Sequence, residues 1–471
     1  MRHLLRSLAP GILVLTLLVL TACQSTATPA QTSTPKATPS PPRPTPTPTP
    51  FVTPTSALGL DTEDLRGTAI EVWHPWFGAE ASLLESQIAD FNASNPWGIT
   101  VHATSKGNYT SILYNASAAI VGLEKDRPDV VVALPEYALT WDADGGVIDL
   151  TPYITDAVYG ITAAERMDFP AVFWSQDMIG ERRLGMPAQR NGRFLFYNQT
   201  WARELGFETP PGTPQEFREQ ACAANRAMRN DDDPSNDGQG GWIVDTHPMT
   251  IYAWLLAFGG GPLQDGNYRF LTPNNIAAFT FLRQLAEDNC AWVSTEETPY
   301  AQFASRKALF ATGDLGDLPD QMRAFAQASN GDEWTVIPFP GTEGGVVPVY
   351  GSSFVLLQTD ERRQLAAWLF MRWLLSPEKQ AQWVQTTGLF PLRASSLALL
   401  TGYRNDHPQW NNAIALLPNG YPQPQLASWH TVRYVLGDAA THIFRVGVGS
   451  GQVSAVLAQM DALVSDITDE R

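Results

Sequence analysis

Apolar residues are distributed along the chain in three successive regimes. The first is one uninterrupted run, 11–20, preceded by Arg2, His3 and Arg6 and closed by Leu20-Thr21-Ala22-Cys23. A run of roughly ten residues is too short for a stable span of roughly 20. With its charged flank and small-residue end it predicts a secretion signal over 1–22. The second regime, from Gln24 to about Ser56, alternates Pro with Thr, Ser and Ala and holds a single apolar cluster, Phe51-Val52. Such a stretch buries too little apolar surface to offset chain entropy, so a disordered, semi-rigid tether is expected over 23–64.

The third regime alternates short apolar runs with helical periodicity. The segment 68–73 reads as a strand, and 80–92 as a helix with Leu84, Ile88 and Phe91 on one side. The segment 99–103 is the next strand, and 109–123 the next helix, with Ile112, Ala116, Ala119 and Leu123 aligned. The run 130–134, Val-Val-Val-Ala-Leu, has no polar alternate position, as in a strand buried on both faces of a parallel sheet. Further strands are expected at 194–197, 334–338 and 353–357. Helices are expected at 272–288, with Ala277, Phe281, Leu282 and Leu285 apolar, at 360–375, and from Ser376-Pro377 onward. Two more helices, 431–444 and 452–467, end the chain. Thr213-Pro-Gln-Glu216 is a capping box with proline in the first helical turn. The fold class is α/β.

Composition narrows the partners. The formal net charge is −17, so nucleic acid, which needs a basic footprint, is excluded. Cys222 and Cys290 remain beyond the signal, and an exported chain permits a disulfide between them; two buried thiols are the alternative. No Gly-x-Ser-x-Gly elbow, phosphate loop or paired-histidine zinc spacing is present, so neither catalysis nor a cofactor is expected. Asp233, Ser235 and Asp237, with Gly238, match the first half of a calcium loop, but Val244 stands where a bidentate glutamate belongs, so a solvated turn is the expectation. The positive signal is aromatic: 15 tryptophans, several placed just after strands. Open α/β sheets bind ligands beyond the carboxyl ends of their strands, which marks Trp76 and Glu136. A ring can stack on the C–H face of a sugar while a carboxylate accepts its hydroxyls.

An ordered set of motifs runs through the body: Phe91-Asn-x-x-Asn95, Gly98-Ile-x-Val101, Pro128-Asp-Val-Val, Gly146-Val-Ile-Asp-Leu150, Leu195-Phe-Tyr-Asn198 and Pro211-Gly-Thr-Pro-Gln-Glu-Phe217. Phe303-Ala-x-x-Lys-Ala-Leu, Trp334-x-Val-x-Pro-Phe-Pro and Gln380-x-x-Trp-x-x-x-Thr-Gly388 complete it. Together they resemble the extracellular solute-binding proteins of family 1, the sugar-type receptors of ABC importers. Leu20-Thr-Ala-Cys23 resembles the lipobox of bacterial lipoproteins, which makes Cys23 the lipidated mature N-terminus.

The resemblance implies a two-lobed periplasmic-binding-protein fold of type II, with lobes joined by a multi-crossover hinge. Lobe 1 is expected at 65–190 and 339–388, lobe 2 at 191–338 and 389–471. Ligand contacts implied by it are Trp76 to Glu80 after the first strand, Glu136, Trp141, Tyr252 and Trp254, Asp314 in a turn where maltose binders carry tryptophan, Ser352, Trp429 and Arg433. The implied protein is a monomeric receptor, held outside the cytoplasm on the membrane by the lipid on Cys23, that passes a carbohydrate to permease subunits. A glycerol-3-phosphate or glycerophosphodiester ligand, with Arg433 meeting the phosphate, is the same-class alternative; a surface hydrolase or adhesin is the different-class one.

Overall fold

Parallel pairing of apolar strands builds the first sheet of the computed structural model, which describes residues 55–469. Strand β1 (Ala69–His74) pairs in parallel with β2 (Thr100–Ser105) on one side and β3 (Val130–Ala133) on the other. All four β3 residues are buried, as a strand covered on both faces requires. Helix α1 (Gly78–Ser94) turns Leu84, Ile88 and Phe91 inward, while α2 (Tyr109–Ile120) is capped by Asn108. Helix α3 (Pro135–Ala143) starts with proline and holds Glu136 in its first turn, where the helix dipole favours a carboxylate. Antiparallel strands Ser353–Leu356 and Met186–Pro187 complete the sheet.

The second sheet is organised around Asn191–Asn198. Ala308–Asp314 runs antiparallel along one side, with Gly240–Ile243 and Ala291–Trp292 beyond it in parallel. Trp334–Ile337 and Val347–Tyr350 pair along the other side, and Gly420–Pro422 adds the edge. The two sheets and their helices form the two lobes of a type II periplasmic-binding-protein fold.

Between the two sheets the chain crosses at 188–190 and at 351–352, and the segment 388–392 lies against the first of these crossings. Ala188 and Gln189 N–H donate to Ser352 O at 2.9 and 3.1 Å, and Phe390 N–H donates to Arg190 O at 3.0 Å, so the crossings are bonded to each other. Glycine is needed at 351, because a Cβ there would collide with the Gln189 carbonyl. The buried Arg190 guanidinium donates to Asp177 at 2.8 Å, Ser353 Oγ at 3.0 Å, Gln189 O at 2.8 Å and Ser352 O.

The structure sharpens several expectations. The segment 339–388 does not lie wholly in lobe 1: Val347–Tyr350 belongs to the second sheet, and the first resumes at Ser353. Pro348 lacks an N–H and disguises that strand in the sequence. Helix α2 ends at Ile120, leaving Leu123 82% exposed after the turn at Gly122. Helix Pro273–Glu287 buries Ala278, Phe279, Leu282 and Leu285, a face rotated from the one through Ala277 and Phe281. Cys222 and Cys290 are paired as a disulfide, with Cα atoms 4.4 Å apart. The calcium candidate is an exposed hydrogen-bonded turn: Asp233 Oδ1 accepts from Ser235 N–H at 3.0 Å and Ser235 Oγ at 2.6 Å. No metal-holding cluster of three acidic, histidine or cysteine residues occurs among the described residues.

The signal segment 1–22, Cys23 and the tether as far as 54 lie outside the described residues. The expected tether boundary at 64 moves back. Ser56 Oγ and Ala57 N–H both donate to Asp156 Oδ2 at 2.9 Å, the Tyr159 hydroxyl donates to Leu60 O at 3.1 Å, and Leu65 is buried. Three leucines, Leu58, Leu60 and Leu65, supply the apolar area that the Thr-Pro stretch lacks. Burial alone would raise the Asp156 pKa, but the N–H groups of Tyr159, Val158 and Ala57 win and hold it below its ordinary value. A depressed carboxylate contributes stability above the ordinary pKa of about 3.9 and loses it as pH falls through the depressed one. Asp156→Ala is therefore expected to lower the hydrogen-exchange protection factors of Ala57 and Leu58 severalfold at neutral pH, and acidification through the depressed pKa, below about 3.9, to lower those of the native chain in the same way. Equal exchange in both proteins would remove Asp156 as the strap's anchor.

Candidate functional site

The carboxyl ends of the parallel strands set the site, as open α/β sheets dictate. In the first lobe, Trp76 and Phe77 follow β1, Ser105 ends β2 and Lys106 follows it, and Glu136 opens α3 after β3. In the second, Asp245 and His247 follow Gly240–Ile243, and Asp314 ends Ala308–Asp314. The helix Trp429–Ile443 contributes Arg433.

Side chains from both lobes meet. Arg433 Nη1 lies 3.4 Å from Glu136 Oε1, and Gln423 donates to Glu136 Oε2 at 3.1 Å. The Tyr137 and His430 rings meet edge-on across the same seam, with centroids 5.4 Å apart. Glu136 is buried, and that burial raises its pKa against the opposing pull of Arg433. On the first-lobe side, Trp76 Nε1 donates to Gln189 Oε1 at 3.0 Å, and Gln189 Nε2 donates to Glu80 Oε1 at 2.8 Å. Burial raises Glu80 as well, with the Gln189 bond working the other way. Ser352 Oγ is buried without a partner of good hydrogen-bond geometry among the described residues, beside a Tyr109 phenol that burial pushes up to about 12.

On the second-lobe side, Arg193 donates to Asp245 at 2.5 Å and to Thr250 Oγ1 at 2.9 Å. Its Nη1 stands 3.9 Å from Asp314 and 3.8 Å from Asp317, and the Tyr350 hydroxyl donates to Asp314 at 3.1 Å. Burial would raise Asp245, but Arg193 outweighs it and keeps that carboxylate ionised. His247 is held toward its neutral form by desolvation and by Arg193; its Nδ1 accepts from Met249 N–H at 3.2 Å. A polar cavity of about 320 Å³ opens here, lined by Arg193, Asp245, His247, Tyr300, Thr312 and Asp317.

Of the residues expected from sequence, Glu136, Arg433, Glu80, Ser352 and Asp314 lie at this seam or hinge. The expected aromatic contacts do not stand free. Trp141 is fully buried, its Nε1 donating to Ser117 at 2.9 Å. Trp254 is fully buried among Phe217, Phe281 and Phe339. Trp429 is fully buried against Tyr252, and Trp76 packs on Trp383 at 4.7 Å. Tyr252 is buried too, its hydroxyl donating to Pro422 O at 2.7 Å. The largest rings hold the most apolar area and go to the core first.

Two rings near them are open: Phe77, next to Trp76, is 78% exposed, and Tyr434, beside Arg433, is 57% exposed. Arg193, Asp245 and His247 were also missed. The apolar run Trp242-Ile-Val244 followed by Asp245 carries the strand-end signal that would have found two of them.

A profile of the bacterial extracellular solute-binding proteins matches residues 86–418, well over half of the chain. The sn-glycerol-3-phosphate-binding periplasmic protein UgpB of Salmonella typhimurium is 23% identical over 384 residues, covering 78% of this chain and 84% of the relative. UgpB of Escherichia coli K12 is 23% identical over 372 residues, covering 76% and 82%. Among solved structures, the sugar-binding protein MalE of Xanthomonas citri superposes with a TM-score of 0.74 at 19% identity, covering 86% of this chain and 98% of its own. UgpB of Mycobacterium tuberculosis, solved with glycerophosphocholine, gives 0.66 at 18% identity, covering 86% and 99%. A profile match of this extent, on this two-lobed fold, identifies the chain as a member of the bacterial extracellular solute-binding proteins.

Proposed function

We propose that this chain is the substrate-binding lipoprotein of an ABC importer, which captures a carbohydrate between its lobes and delivers it to the membrane permease. The observation that carries the reading is the interlobe seam. Glu136 from the first lobe and Arg433 and Gln423 from the second meet beside the hinge. A ligand that bridges such groups favours the closed form by its differential affinity for that form. In this reading Glu136 accepts ligand hydroxyls, Ser352 Oγ supplies a further hydrogen bond, and Phe77 and Tyr434 offer rings to sugar faces. The ligand leaves chemically unchanged, the receptor acts as a monomer, and lipid on Cys23 keeps it at the outer membrane face near the permease.

A glycerol phosphate is the second reading, favoured by the similarity to the sn-glycerol-3-phosphate-binding proteins. Thermal-shift screening against mono-, di- and trisaccharides and glycerol phosphates tests both, because ligand at 100 times its Kd stabilises by about 2.7 kcal/mol. With the saccharide found in this way, Glu136→Gln is expected to weaken binding about tenfold, as hydrogen bonds to a charged group are worth about 1.5–3 kcal/mol. Trp254→Phe should lower the melting temperature and leave affinity as it was. Full affinity in Glu136→Gln, read by calorimetry, would remove this seam as the binding site. Membrane release of Cys23→Ala checks the anchor.

A further inference from the structure

Three guanidinium groups at the seam and hinge already face carboxylates of the same chain. Arg190 and Asp177 form a pair whose side chains are 0% and 2% exposed. Arg433 is matched by Glu136. Arg193 is enclosed by Asp245 at 2.5 Å, Asp317 at 3.8 Å and Asp314 at 3.9 Å. These contacts place five carboxylates against three guanidinium groups. Glu80 adds a further acid on the first-lobe side, and Glu296 and Glu297 line the second-lobe cavity. His247, beside Arg193, is held toward its neutral form and adds no positive charge at pH 7. Lys106, after β2, sits 3.8 Å over the Trp73 ring.

A phosphate is recognised by guanidinium or ammonium groups whose donors are open to it, usually in a bidentate fork. Here the guanidinium groups already face carboxylates, and an incoming phosphate would stand beside those carboxylates. Like charges at that spacing repel, strongly where the site is partly buried. The surplus shows in the carboxylates themselves: burial and the neighbouring Asp314 together raise the pKa of Asp317. A neutral polyol meets no such penalty, because carboxylates and the Tyr350, Tyr300 and Ser352 hydroxyls all accept from its hydroxyl groups.

We infer that the cleft selects an uncharged polyhydroxylated ligand and rejects phosphate-bearing ones, with Asp245 and Asp314 around Arg193 as the residues that set this choice. The inference rests on the solute-capture reading above and narrows it, against the ligand named for the sn-glycerol-3-phosphate-binding relatives.

The test is calorimetry on the full body with sn-glycerol 3-phosphate, inorganic phosphate and a panel of neutral mono-, di- and trisaccharides. It uses the native chain and Asp245→Asn/Asp314→Asn. The native chain should bind neither phosphate probe with a Kd below about 1 mM. The double variant, with Arg193 uncovered, should gain at least about tenfold affinity for both. Should Asp245→Asn impair folding, Asp314→Asn alone carries the test, with a smaller gain of the same sign. Native binding of glycerol 3-phosphate tighter than about 1 mM overturns the selectivity while leaving solute capture intact. A variant that gains nothing overturns the assignment of Asp245 and Asp314. Gain in the variant with no saccharide bound by the native chain upholds the charge rule and counts against the carbohydrate reading alone.

Discussion

Arg190→Met is expected to destabilise the protein by about 3–5 kcal/mol, because removing one partner leaves the other charge buried and alone. Arg190 is fully buried, and its guanidinium supports Asp177, Ser353 Oγ and the carbonyls of Gln189 and Ser352. Those acceptors lie on the two hinge crossings, on the first-sheet strand Ser353–Leu356 and on the first-lobe 3-10 turn, so one side chain ties the crossings to the lobe. Burial lowers the Arg190 pKa, with Asp177 opposing it, so the pair is held by geometry within a poorly solvated interior. The partner substitution separates charge from packing. Arg190→Met/Asp177→Asn leaves no isolated ion and should recover part of the loss. Denaturant unfolding at neutral pH provides the measurement. A loss below about 1 kcal/mol for Arg190→Met would mean that Asp177 finds water once the guanidinium is gone.

Removal of the Cys222–Cys290 bond, by reduction or by a double alanine substitution, is expected to cost about 4 kcal/mol. The cysteines are separated by 68 positions in sequence, and the chain-entropy model gives a large term for a loop of that size. For a body of this size that corresponds to about 5 °C in melting temperature. The bond joins helix Pro214–Arg229 to the edge strand Ala291–Trp292, and the backbones pack so closely there that a Cβ at Gly241 would strike the Cys290 carbonyl. Cys290 precedes its strand and so lies at the amino edge, away from the carboxyl ends that hold Asp245 and Asp314. Ligand affinity should therefore survive reduction. Identical melting with and without reductant would show that the two sulfurs are not bridged.

Local sequence carried most of the element boundaries. Val130–Ala133 has no polar position to expose, and Thr213 caps its helix through Glu216 as the capping box predicts. The strands that escaped notice are those whose partners supply the stability. Ala308–Asp314 ends in small and polar residues and is held by five register pairs to Asn191–Asn198. Val347–Tyr350 carries a proline. Neither advertises itself by periodicity, because a strand's stability resides in cross-strand neighbours.

Charge at the site was partly legible and aromatic exposure was not. Glu136 follows a buried strand, so its place at the carboxyl edge is a matter of chain direction alone. Which ring remains open is a matter of competition for buried volume. Trp76 finds Trp383, far away along the chain, and Trp429 finds Tyr252, leaving Phe77 and Tyr434 outside. By itself the sequence determined the α/β class and the candidate carboxylates, because these follow from periodicity and position after a strand. Only the tertiary structure decided which tryptophans are core and that Arg193, Arg190 and Arg433 are each already matched by acids. Burial and ion pairing depend on residues brought together from distant parts of the chain.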